Sequence, residues 1–201
     1  MKTIRIFTIA SLLAAVSLTS CLKDSDGNSN SGLTPAEKEY CATIVKGNYT
    51  GSLIYAAKNI QNVNDVTDTL DISWSVNTDS TLTIHRFPSR LLAENISDEA
   101  LKNAIAEAPD QDINCRIGFI TKNPIQWLIN PAAPCFNIQF DGAEHKFYVG
   151  FYVNSTNSFG RYTSNDKMVE MQIIEGAIFM DNNETGYLTT ATPFAFVAEK
   201  K

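Results

Sequence analysis

The chain has only two histidines in 201 residues, His85 and His145, and four cysteines, none of them in a Cys-x-x-Cys or His-Glu-x-x-His arrangement. Nitrogen and sulfur donors at zinc-ligand spacing are therefore missing, and neither a metal nor another cofactor is expected. A glycine-rich phosphate loop and a Gly-x-Ser-x-Gly turn are missing too, which removes the sequence signatures of nucleotide binding and of α/β-hydrolase chemistry. Asp, Ser and His are all available, but a catalytic triad is defined by geometry and not by inventory, so no catalytic residue is nominated. Bases are outnumbered, 16 Lys and Arg against 22 Asp and Glu, for a formal net charge of -6. A surface of that sign lacks the cationic footprint that phosphate backbones attract, so nucleic acid is not an expected partner. No internal repeat is visible, and beyond the N-terminal stretch no hydrophobic run approaches the roughly 20 residues of a bilayer-spanning helix.

What is present begins at the N-terminus. Lys2 and Arg5 precede an apolar stretch from Ile6 to Leu18, interrupted only by Thr8, Ser11 and Ser17. It is short for a membrane span and right for the hydrophobic region of an export signal. The following Leu18-Thr19-Ser20-Cys21 resembles the bacterial lipobox. That resemblance implies cleavage after residue 20, acylation of Cys21 and membrane attachment through the lipid; several acyl chains on one cysteine anchor far more firmly than one. Residues 21–33 then read as a tether: Lys23, Asp24 and Asp26 supply charge, and Gly27 to Gly32 is a Gly/Asn/Ser stretch with nothing to bury. Lys23-Asp24-Ser25-Asp26 is similar to the surface-export signal of Bacteroidetes lipoproteins. It implies an outer-membrane protein facing the cell exterior, with the periplasmic face as the alternative.

With Cys21 acylated, Cys41, Cys115 and Cys135 remain, so at most one intramolecular disulfide can form. Cys115 and Cys135 flank two strand-like runs joined near Asn123-Pro124 and are the expected pair, contributing roughly 3 kcal/mol on the chain-entropy model. Three free thiols are the alternative.

Residues 34–201 read as one domain, since ~170 residues suffice for a single core. Thr34-Pro35-Ala36-Glu37 has the elements of a helix start, a capping hydroxyl, a proline in the first turn and a glutamate that reaches back to the cap. The helix is expected to stop at Gly47, with Tyr40, Cys41, Ile44 and Val45 as its apolar stripe. Beyond Gly47 the hydrophobic period becomes two. Ile72, Trp74 and Val76 alternate with polar residues, Asn77 to Ser80 reads as a turn, and Leu82 and Ile84 continue the alternation. Further strands are expected at 49–58, 113–121, 125–129, 135–140, 145–154, 168–181 and 187–198, with a tight turn at Asp141-Gly142. One helix interrupts them, capped by Ser97, with Leu101, Ala104, Ile105 and Ala108 inward and Asp98 paired to Lys102. About nine strands joined by short connections imply a mainly β fold, an antiparallel meander closing into a barrel of about 8–9 strands with two marginal helices. A two-sheet sandwich is the alternative.

Candidate ligand contacts follow from that barrel. In the run from His145 to Asn154, Phe147, Val149, Phe151 and Val153 point one way and Tyr148, Gly150 and Tyr152 the other, which suggests a lumen lined with tyrosine. Trp127 reads as packing in the core or at the barrel mouth, with a binding platform as the alternative. Phe159, Arg161 and Tyr162 lie in a Ser/Thr/Asn-rich stretch, 154–167, expected to be a solvated loop that could also hold a sugar or peptide. Glu170 stands out in an apolar strand and is expected on its outer, mixed face.

Gly47-Asn48-Tyr49-Thr50-Gly51, preceded by a short helix, resembles the opening of the lipocalin-like, or calycin, superfamily. Tyr49 stands where lipocalins usually carry tryptophan, and the helix inserted after the third strand is a second departure. Whole-chain character is similar to lipocalin-like envelope lipoproteins of Bacteroidetes, a group that supplies no residue roles. The resemblance extends to architecture alone, and the function expected of the whole chain is a non-enzymatic module that binds a small apolar or amphipathic molecule. A β-rich interaction or assembly subunit of an envelope complex is the alternative, and a hydrolase comes third.

Overall fold

The computed structural model describes residues 32–57 and 67–200. The expected export signal, Cys21 and all but the last two residues of the tether lie outside the described residues. Helix α1 (Pro35–Val45) is followed by strands β1 (Gly47–Ala56), β2 (Thr67–Val76) and β3 (Thr81–Phe87). Helices α2 (Ser89–Leu92) and α3 (Glu99–Ala106) come next, then β4 (Gln111–Lys122), β5 (Ile125–Pro131), β6 (Cys135–Phe140) and β7 (Ala143–Phe151). The chain ends with β8 (Phe159–Thr163), β9 (Met168–Met180), β10 (Asn183–Thr185) and β11 (Thr192–Glu199). No helix among the described residues is long and apolar enough to cross a membrane.

Eight strands form a closed antiparallel barrel in the order β11-β1-β2-β3-β4-β5-β8-β9, and β9 returns to β11 from Thr192↔Glu175 to Glu199↔Met168. Closure leaves no barrel strand with an unpaired edge, the physical reason an antiparallel sheet of this size curls up. Breaks in register between Ile84 and Phe87 and between Phe119 and Thr121 supply local bends. The fold is thus the expected barrel and not the sandwich. Its path differs from a simple meander, because β6 and β7 leave the barrel as a hairpin and β7 rejoins only the C-terminal half of β9. The hairpin turns at Asp141 and Gly142, both at positive φ (53° and 83°), as a tight Asp-Gly turn requires.

Alternation decides what fills the barrel. On β2, β3, β4 and β5 the inward residues Ile72, Trp74, Val76, Leu82, Ile84, Ile113, Cys115, Ile117, Phe119, Trp127 and Ile129 are all buried. Tyr49 stacks on Trp74 with centroids 5.6 Å apart, Trp74 meets Phe196 edge-on at 5.9 Å, and Phe87 meets Phe194 at 4.9 Å. Side chains occupy the axis. The tyrosine lumen is corrected by this packing: Phe147 and Val149 are fully buried, whereas Tyr152 is 43% exposed. The more apolar face of β7 turned inward, as hydrophobic burial dictates.

The cysteine pairing is corrected as well. Cys41, Cys115 and Cys135 are all free thiols. The hairpin joined at Asn123-Pro124 is present as β4 and β5, but Cys115 stands opposite Pro131 there, while Cys135 lies beyond it on β6, opposite Tyr148 of β7. Cys115 faces the interior, where burial pushes its thiol up to about 12, while Cys135 is exposed on β6.

Local rules hold at the helices. Thr34 and Glu37 form the reciprocal capping box, and Glu37 also pairs with Lys122 of β4, fastening α1 to the barrel. Asp98, not Ser97, caps α3, its carboxylate accepting from Leu101 N at 2.9 Å. Lys102 accordingly leans on Glu99 at 3.9 Å and not on Asp98. The stretch read as a solvated loop contains β8, held between β5 and β9. Its Gly160 lets β8 approach Trp127: a Cβ there would stand 2.2 Å from Trp127 Cε2. Trp127 is fully buried. Gly160→Ala should therefore destabilise by about 1–3 kcal/mol or more through overpacking, measured by urea unfolding. A change below about 0.5 kcal/mol would contradict this packing.

Candidate functional site

One end of the barrel carries a cleft of about 350 Å³, at the small end of ligand-binding pockets. Tyr55, Ala56 and Ala57 at the end of β1 form one wall, and Thr192 and Phe194 at the start of β11 form the next. Leu91 of α2, Glu94 and Asn95 just after it, and Lys102 of α3 complete the lining. The two β-walls adjoin because β1 and β11 pair antiparallel, Ile54 opposite Ala195. The helical side is laced to the segment before β11. Asn95 Nδ2 donates to Thr192 Oγ1 at 2.7 Å, Thr189 donates twice to the Asn95 carbonyl, and Ser97 N donates to the Tyr187 carbonyl. The result is amphipathic: an apolar floor of Leu91 and Phe194 beside an amide, a hydroxyl and two opposite charges.

Behind Thr192 lies Glu175. It shares its side of β9 with Val169, Met171 and Ile173, which face the barrel interior, and it sits directly across from Thr192 on β11 and Phe151 on β7. Glu175 is fully buried, and neither carboxylate oxygen has a hydrogen-bond partner. Burial pushes its carboxyl up from 4.5 to about 8, and the Thr192 hydroxyl opposes that rise only in part.

The six candidate contacts do not meet at this cleft. Trp127 is a core residue inside the barrel, edge-on to Phe119 at 5.8 Å. Tyr148 lies on the excursion hairpin opposite Cys135, and the Tyr152 ring lies over Gly176. Phe159, Arg161 and Tyr162 sit in β8, where Arg161 Nε donates to Glu170 Oε2 across the pair of strands. That pairing accounts for Glu170 on the outer face. Sequence reasoning missed Glu175, although a signal was there: within the run from Met168 to Met180 its parity matches Val169, Met171 and Ile173, and that of Glu170 does not. Thr192, Asn95 and Leu91 carry no such signal, because helix and strand packing alone brings them together.

A second constellation lies on the outer face of the barrel. Ser75 Oγ is 2.8 Å from His85 Nε2, and His85 Nδ1 is 3.6 Å from Asp112 Oδ2. The order of atoms is that of a nucleophilic triad. Ser75 Oγ is equally close to Asn48 Oδ1, at 2.8 Å, and Asp112 accepts from the backbone N–H of Arg86 at 2.8 Å. These residues stand side by side on β1 to β4, on the exterior of paired strands and not in a cleft. The arrangement functions as a cross-strand polar ladder, the sheet's way of tying its wet face together. His145 is likewise bound to Asp181 at 2.7 Å, whose carboxyl the histidine holds below the usual range. Among the described residues no group of three or more His, Cys, Asp or Glu side chains is placed to hold a metal ion.

The model of a family described as a domain of unknown function, DUF4840, matches residues 44–180, from the end of α1 to the end of β9. No curated protein and no solved structure matches the chain.

The buried acid predicts a pH dependence of known sign. Between pH 4.5 and about 8 the folded carboxyl keeps a proton that the unfolded chain has released, so stability falls as pH rises through that window. Relative to Glu175→Gln, the wild type should lose on the order of 3 to 5 kcal/mol between those limits, measured by denaturation at a series of pH values. Parallel profiles for the two proteins would contradict a buried, unpaired carboxyl.

Proposed function

The chain belongs to the DUF4840 family, and we propose that it is an envelope lipoprotein, anchored through Cys21, whose barrel end holds a small apolar or amphipathic molecule. The observation that carries this reading is the cleft bounded by β1, β11, α2 and α3, which joins the apolar surface of Leu91 and Phe194 to the polar groups of Asn95, Thr192 and Lys102. A barrel suits such a module, since its closed wall fixes the lining residues on rigid elements while the helices at its end remain free to vary. The packed axis moves the proposed binding place from the lumen, where the alternation of Tyr148 and Tyr152 set it, to the mouth. No catalytic residue, cofactor or nucleic acid enters the reading.

The anchor is supported by Leu18-Thr19-Ser20-Cys21 and the charged residues after it. The proposed location is the outer membrane, facing the cell exterior. Mass spectrometry of protein from its native host should find acyl mass on Cys21 as the first residue. A mature chain that begins elsewhere would refute the anchor.

Reading the chain as an assembly subunit rests on a different observation. β6 pairs with β7 alone among the described residues, so its other edge can accept a strand from a partner. One experiment separates the two readings. In a non-acylated Cys21→Ser chain, a hydrophobic dye should saturate a single site, and Ala57→Trp should abolish uptake without lowering the melting temperature, because the indole fills the cleft from β1. Absence of saturable uptake, or uptake indifferent to Ala57→Trp, would favour the assembly subunit.

A further inference from the structure

We propose that the cleft selects amphipathic ligands whose polar end is a protonated amine, and that Glu175 is the group that receives it. The inference rests on the ligand-binding reading of the cleft and adds the chemical class of the ligand.

The argument starts from an imbalance in the barrel interior. Buried carboxyl oxygens in folded proteins are almost always met by donors, and each exception calls for an explanation. Both oxygens of Glu175 are such exceptions, in a side chain with no exposed surface. The side chain directly across is Thr192, and Thr192 lines the cleft. Its Oγ1 already accepts from Asn95 Nδ2 at 2.7 Å, and its hydroxyl lies 3.5 Å from the Thr190 carbonyl. Thr192 is thus held as part of the cleft wall; its hydroxyl is near enough to Glu175 to oppose part of the effect of burial, yet makes a hydrogen bond to neither oxygen. The other cross-strand neighbour, Phe151, has none to offer.

A ligand whose polar end lies at Thr192 is one residue from this carboxyl, and the chemistry of that end decides how well it satisfies the acid. An ammonium brings three donors and a compensating charge, so it can serve both oxygens and let the carboxylate ionise. A hydroxyl brings one donor and leaves the second oxygen unmet. A carboxylate adds like charge or has to share a proton. Among the described lining residues the one base, Lys102, already has Glu99 at 3.9 Å. Leu91, Phe194 and the small Ala56 and Ala57 leave the apolar body of the ligand a surface of matching character.

Octylamine, octanol and octanoate share one chain length and differ only in the polar end, so they isolate the inference. In the Cys21→Ser chain, octylamine should bind at least about tenfold more tightly than the other two, measured by calorimetry at pH 7. Glu175→Gln, with its fold checked by circular dichroism, should bring octylamine down to the level of octanol. Lys102→Gln should leave octylamine binding intact. If octanol or octanoate matches octylamine, or if the preference survives Glu175→Gln, the role of Glu175 is overturned while the cleft stands. If none of the three binds saturably, the cleft reading fails and this inference fails with it.

Discussion

The return of β9 to β11 is the contact on which the rest of the structure depends. β9 is 13 residues long, and its first half lies between β8 and β11 while its second half lies between β7 and β10. One strand therefore both shuts the barrel and carries the excursion hairpin. The change of partners falls at Glu175 to Ala177, where the β7 register breaks between Gly150 and Phe151. Gly176 sits at that break beneath the Tyr152 ring, where an added Cβ would stand 3.2 Å from the ring. A closed wall forces every inward side chain onto one axis, and the aromatic residues there fill it by edge-on and stacked contacts.

A filled axis has a functional consequence. It leaves no room for a ligand at the centre, so any binding surface belongs to the ends, where the wall stops and other elements must cover it. α2 and α3 cover one end, and the segments 93–97 and 187–192 stitch that cover to β11. Glu175 lies where this cover meets the wall. A group whose ionisation is suppressed by burial works against folding at neutral pH, so its place beside the cleft is the structural feature most in need of a functional reason.

Much of the architecture was legible in the residues. Thr34 and Glu37 announce α1 because capping is local, and Asp141-Gly142 announces a turn because few dipeptides accept its backbone angles. Ile72, Trp74, Val76, Leu82 and Ile84 announce inward faces because the strand period is two. The elements that escaped depend on partners distant in sequence. β8 is five residues within a polar stretch, a strand only because β5 and β9 flank it. β7 is apolar on both faces, so its pattern did not say which face would turn inward. The cysteine pairing failed because the hairpin ends before Cys135 is reached: Pro131 stands opposite Cys115, and the chain then turns Cys135 onto β6. Of the site, Glu175 could have been found from its parity along β9. Its conjunction with Thr192 and Asn95 could not, because that depends on barrel closure.

Closure itself is open to direct measurement by native-state amide hydrogen exchange along β11. The amides of Ala195, Phe196 and Val197, flanked by β9 and β1, should exchange as slowly as those of Ile113 to Ile117 in the middle of the wall. Exchange about a hundredfold or more faster in β11 than in β4 would mark it as an open edge, and the barrel, its packed axis and the cleft at its mouth would all be contradicted.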